Sequence, residues 1–225
     1  MVVFVALVPL YVFIPVVLLQ GRTLHTLQLP IDGLVPLKPS WAVVYGALYL
    51  FLIVLPVLVV RDEQHLRLTV RAYLTVWIAA YVCFLAYPTA APRPANVIAQ
   101  GFGAWGLRLL YSADPPYNCF PSLHVAHSFV SAFTCLRLNR AVGLASVIAA
   151  SLVGVSTLYT KQHYVLDVVA GVGLSIAAYV IFLRPYSGPS KSEIDRRVSA
   201  VLAVGLILLL GLVVAAAWGF YRYVG

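Results

Sequence analysis

The sequence predicts an all-α, polytopic helical membrane protein, with a six-helix core and one extra C-terminal transmembrane helix. Three observations carry that prediction. Of the 225 residues, 62% are hydrophobic and only 10% charged, whereas a soluble domain carries about 25% charged residues. The mean hydropathy is +0.95. The apolar residues also fall into continuous runs long enough for a hydrocarbon core of about 30 Å, which takes about 20 helical residues. Their continuity excludes the alternation of membrane β-barrel strands.

Seven runs are candidate spans. The first, 2–20, contains no Lys or Arg. A cleaved signal peptide needs a basic start and a small-residue cleavage site, so this segment reads as a retained span, interrupted by Pro9 and Pro15. The others are 41–60, 72–88, 121–137, 141–158, 165–183 and 198–220. Between them, 61–71 (RDEQHLRLTVR) reads as a charged loop and 138–140 as a tight one. Residues 184–197 read as a polar, Pro/Gly-broken loop. The long connection 89–120 has a semi-apolar middle with Trp105 and Arg108, which predicts an interfacial helix over 96–110. No other stretch is long and polar enough to fold alone, so 1–225 reads as a single integral membrane domain.

The net charge of +8 is spread over short connections rather than along one stripe, which argues against a nucleic-acid partner. Alternating spans put nine of the 15 Lys and Arg residues on the face holding 61–71, 138–140 and 184–197, counting Arg137 there. The other face carries six. The positive-inside rule then places 21–40, 89–120 and 159–164 on the extracytoplasmic side. Cys83, Cys119 and Cys135 form no C-x-x-C pair, and Cys83 and Cys135 read as small packing residues.

On that shared face the ionisable residues collect. Arg93 follows the third span, and Ser122 and His124 open the fourth (CFPSLHVAHS). Lys161, His163 and Asp167 lie in YTKQHYVLDVVAG, between the fifth and sixth. Ionisable groups at a membrane face are costly without a partner, so their convergence points to function. His163 and Asp167 are four apart and would stack on one helix face. The carboxylate can then hold Nδ1–H and leave Nε2 free as nucleophile or base. Pro121 suits a first helical turn. The amides of Ser122 and Leu123 would then point out of the helix mouth as an anion site. Ser122 adds a hydroxyl donor and His124 a proton for a departing oxygen. Arg93 and Lys161 supply the fixed positive charge that phosphoryl transfer requires.

Taken singly, each piece has a plainer reading: a structural H-x-x-x-D, a Pro-Ser helix start, a headgroup-anchoring Arg93, a snorkelling Lys161. His127, one turn below His124, either shapes the acceptor side of the site or is a buried, satisfied histidine. His25 and His65 read as solvated loop residues, and Asp32 and Asp114 as turn formers. Two other functions use the same residues. One is a zinc hydrolase with His124, His127, His163 and Asp167 as ligands. The other is a proton-coupled transporter with the His/Asp pair as relay.

The pair CFPSLHVAHS and STLYTKQHYVLDVVAG resembles the second and third signature motifs of the type 2 phosphatidic acid phosphatase superfamily of membrane enzymes. Pro92-Arg93-Pro94 resembles the tail of its first motif. The resemblance covers roughly residues 72–183. It implies that His163 attacks phosphorus to form a phosphohistidine, that Asp167 orients it, and that His124 protonates the leaving group. Arg93 and Ser122 would hold phosphate oxygens, with Lys161 beside them. Neither a cofactor nor a metal is implied. Two cations of the common phosphatase pattern are replaced, by Ala86 and by Thr157 after Ser156. That departure, with PSLHVA and YTxxHY, is more similar to the branch of inositol phosphorylceramide and sphingomyelin synthases. It implies a phospholipid donor, preferably a phosphodiester, and an alcohol acceptor. With water as acceptor the chain would instead be a lipid phosphate phosphatase.

Overall fold

A computed structural model describes residues 11, 13–14, 21–114, 116–187 and 193–224. Among the described residues the architecture is all-helical. A 3-10 turn, Pro30–Leu34, precedes seven helices: α1 (Trp41–Val59), α2 (Glu63–Ala86), α3 (Phe102–Ala113), α4 (Leu123–Leu136), α5 (Arg140–Tyr159), α6 (Val165–Ala178) and α7 (Glu193–Val224). A single π turn, Tyr179–Leu183, continues α6. Five of these are long and apolar enough to cross a membrane: α1, α2, α5, α6 with its π turn, and Ile194–Tyr223 of α7. The protein is therefore a multi-pass helical membrane protein. The expected span 2–20 lies outside the described residues, apart from Tyr11, Phe13 and Ile14.

Several boundaries differ from the sequence expectation. Most of the charged stretch 61–71 is helix, because Asp62 caps α2 by accepting the His65 amide at 2.9 Å. Glu63 and Arg67 pair one turn apart at 2.6 Å. His65 is not solvated: it is fully buried and stacks on Tyr186, ring centroids 4.4 Å apart. The other expected loop histidine, His25, is half-buried and stacks on Tyr87 at 4.1 Å. The helix expected over 96–110 is α3, displaced to Phe102–Ala113, with Gly101 at φ 97 before its first turn. The last helix takes in part of the expected polar loop and has 32 residues. At 1.5 Å per residue it is about 48 Å long, more than the hydrocarbon core requires.

The fourth run forms α4, only 14 residues long. It reaches about 21 Å, short of a full crossing. Neighbouring helices surround it instead. Leu123, Ala126 and Val130 pack with Trp77 and Phe84 of α2, while Ala132 and Cys135 pack with Leu52, Leu55 and Val153 of α1 and α5. Gly143 permits the tight α4–α5 hairpin, since a Cβ there would lie 2.2 Å from the Leu136 Cα. Outside this core, α7 exposes Ile207, Leu208, Leu209 and Leu212, a lipid-facing surface.

The connections at one end interlock above α4. Lys38 N donates to Tyr159 O at 2.9 Å, and His25 exchanges backbone bonds with Pro88 and Ala90. Segments 21–40, 87–120 and 159–165 thus gather at the same end of the bundle. Trp105 of α3 meets Phe220 and Tyr221 of α7 there.

Candidate active site

The helix α6 begins under unusual control. Its N-cap is Tyr164, whose amide donates to Asp167 Oδ2 at 2.8 Å. The next amide, Val165, donates to Asp32 Oδ1 at 2.8 Å. His163 therefore precedes the helix rather than lying on it, a correction to the expected helical stack. Asp167 still reaches it, because a carboxylate on the first turn turns back over the cap. Its Oδ2 lies 3.4 Å from His163 Nδ1. That is an ion-pair separation, but it is off the hydrogen-bond line, and Nδ1 has no hydrogen-bond partner among the described residues. On the other edge of the ring, His163 Nε2 lies 3.5 Å from His124 Nδ1.

The start of α4 supplies the second wall. Ser122 is the N-cap, and its Oγ accepts the Val125 amide at 3.3 Å. Pro121 stands before the cap, not in the first turn as expected. The Ser122 amide is not free to hold an anion, since it donates to Asp167 O at 3.0 Å. The amides of Leu123 and His124 have no acceptor among the described residues, as befits a helix N-terminus. Thr89 Oγ1 fixes the approach by accepting the amides of Cys119 and Phe120. Around His124 stand the edges of Tyr11, Tyr45 and Tyr49, with centroids 4.9 to 5.9 Å away.

Arg93 is held from three sides. Nη1 donates to Asp114 O at 2.6 Å, Nη2 lies 3.4 Å from Asp114 Oδ2, and Nη2 also donates to Gln162 Oε1. The guanidinium stacks over Tyr111 at 4.6 Å. Tyr111 donates its hydroxyl to Thr160 O at 2.6 Å. Burial pushes that phenol up to about 12, against the opposing pull of Arg93, so it remains a donor. A cavity of about 400 Å³ is lined by Arg93, Lys161, His163, Tyr164 and Asp32, among others. Lys161 lines it, but its ammonium is tied to Val35 O at 2.5 Å and Asp32 O at 3.3 Å.

The structure thus brings His163, His124, Asp167 and Arg93 together, with Lys161 on the cavity wall. Ser122 is fully buried and does not line the cavity. His127 sits among Tyr73, Trp77 and Tyr49. Its Nδ1 is buried without a partner among the described residues. Among the described residues no group of three or more His, Cys, Asp or Glu is arranged to hold a metal. Thr157 is buried, its hydroxyl spent on Gly154 O, and Ala86 ends α2, so neither position carries charge.

Asp32, Asp114 and Gln162 also stand at the candidate site, and the sequence does not single them out. IDG and ADPP read as turns, and Asp32 does close its own turn by accepting the Leu29 amide. Its second oxygen, on Val165, is a contact 133 residues away. Gln162 had one available signal, its place between Lys161 and His163.

A family model described as the PAP2 superfamily matches residues 22–181. A PA-phosphatase related-family protein of Dictyostelium discoideum is 27% identical over 125 residues, covering 51% of this chain. The match spans only 23% of that relative's length. No solved structure matches.

Proposed function

The chain belongs to the PAP2 superfamily, and from that membership we propose that it is a membrane enzyme moving a phospho-headgroup from a lipid to an alcohol acceptor through a phosphohistidine. The observation that carries the reading is His163, with Asp167 3.4 Å from one ring nitrogen and His124 3.5 Å from the other. In the first step the Nε2 lone pair attacks phosphorus. The bond to the leaving oxygen breaks, and His124 gives that oxygen a proton. Asp167, 3.4 Å from Nδ1, faces the positive charge that the ring takes on as the N–P bond forms. In the second step the acceptor oxygen attacks phosphorus, the N–P bond breaks, and His124 takes up the acceptor's proton. Arg93, with the free amides of Leu123 and His124, offsets charge on the phosphate oxygens. Ser122 acts through its cap, and Lys161 through the cavity wall. With water as acceptor the same steps make a lipid phosphatase. The site faces the extracytoplasmic side.

The test is a panel of labelled lipid phosphates and phosphodiesters, with and without alcohols. An acid-labile phosphohistidine should be trapped and should vanish in His163→Ala. Labelled product that depends on added alcohol supports transfer; release of free phosphate at the same rate without alcohol supports hydrolysis. Full turnover by His163→Ala would end the mechanism.

A further inference from the structure

We propose that Asp114 sets the charge selectivity of the Arg93 site, favouring a monoanionic phosphodiester over a dianionic phosphomonoester. The proposal rests on the reading of Arg93 as the residue that holds the phospho-group.

The carboxylate sits where it matters. Asp114 Oδ2 is 3.4 Å from Arg93 Nη2, and the two side chains are only 14% and 9% exposed. Solvent and salt screen so enclosed a pair weakly. Arg93 also gives Nη1 to the carbonyls of Asp114 and Tyr111 and Nη2 to Gln162, while its Nε is buried with no partner among the described residues. Nε is therefore the donor left for an incoming phosphate oxygen. The guanidinium that receives that oxygen is already paired with a negative charge.

The rest of the site does not restore the balance. Among the described residues, Arg93 and Lys161 are the cations on the cavity wall, and Asp32 lies on the same wall. Asp114 stands against Arg93 and Asp167 against His163. Two cations face three carboxylates. Asp32 is compensated by two backbone amides, and Asp167 is committed to the Tyr164 cap. Asp114 is the carboxylate applied directly to the phosphate-holding arginine. A dianion feels its repulsion twice over, a monoanion once.

Asp114→Asn isolates the charge. The Asp114 carbonyl that holds Nη1 is unchanged, and the amide oxygen can still accept the Tyr11 hydroxyl, now bonded to Oδ1 at 3.0 Å. The measurement is a phosphorus NMR titration of the detergent-solubilised full chain with methyl phosphate and dimethyl phosphate. At about pH 8 methyl phosphate is dianionic, its second pKa being about 6. Both ligands should tighten in Asp114→Asn, and the methyl-to-dimethyl affinity ratio should rise at least about tenfold. Asp114→Glu should keep the original ratio, and in an Arg93→Ala background Asp114→Asn should no longer move it. An unchanged ratio, equal weakening of both ligands, or a shift that survives without Arg93 overturns the proposal. Because binding is read, a failure to trap phosphohistidine bears on the catalytic reading alone.

Discussion

The Ser122 amide donates to the carbonyl oxygen of Asp167 at 3.0 Å, so the first turns of α4 and α6 are joined. One helix carries His124, and the other begins just after His163. Gly171 makes the approach possible. A Cβ there would lie 2.6 Å from Ser122 O and 3.2 Å from the Val125 Cβ. Gly171→Ala must push the two helix starts apart, because backbone does not yield like a flexible side chain. The expected cost is about 1–3 kcal/mol of stability, with turnover falling further than expression. Thermal unfolding in detergent and a labelled-lipid assay measure the two. Wild-type turnover in Gly171→Ala would mean the helix junction does not set the His163–His124 distance.

Asp167 has two tasks that substitution can separate. Its Oδ2 accepts the Tyr164 amide at 2.8 Å and lies 3.4 Å from His163 Nδ1, while Oδ1 is buried without a partner among the described residues. Asp167→Asn keeps an acceptor for the cap but removes the charge facing the ring. Unfolding temperature should change little, while turnover falls by about a hundredfold or more. Equal losses of folding and activity would make Asp167 a structural cap only.

How much of this was legible depends on the range of each interaction. His163, Asp167 and His124 stand out as candidates because their spacing and apolar setting are local signals. The joining of 21–40, 89–120 and 159–164 followed from alternating spans, a long-range inference with a simple rule. Asp32 and Asp114 were not legible, because a turn-forming aspartate looks the same whether or not its second oxygen meets a distant group. The start of helix α2 is not legible for a related reason. Hydropathy marks where lipid ends, but Asp62 and the Glu63–Arg67 pair carry the helix on into a polar stretch. The shortness of α4 is not legible either, since an apolar run reads alike against lipid or against protein.

Asp32 gives the third prediction. Its oxygens accept the Leu29 amide at 2.7 Å and the Val165 amide at 2.8 Å. It thereby ties the 3-10 turn to the first residue of α6. Asp32→Ala leaves both amides without that acceptor, at about 1–3 kcal/mol each if they stay buried. Asp32→Asn retains one oxygen and should fall between. The order wild type, Asn, Ala in unfolding temperature is the check; Ala as stable as wild type would show that water replaces the carboxylate at no cost.

Lys161 combines two opposed effects. Its φ of 55 lies in the left-handed region, where a residue with a Cβ loses roughly 1–2 kcal/mol. Its ammonium compensates by bonding Val35 O and Asp32 O. Lys161→Ala loses the ammonium and keeps the strain; Lys161→Gly loses the ammonium and relieves it. The Gly variant should therefore unfold at a higher temperature than the Ala variant. Both should lose activity to a similar degree, because the missing contact to the 30–35 turn is the same. If Lys161→Gly recovered wild-type turnover while Lys161→Ala did not, the backbone conformation would be the contribution that matters. The ammonium would then have no part in shaping the cavity.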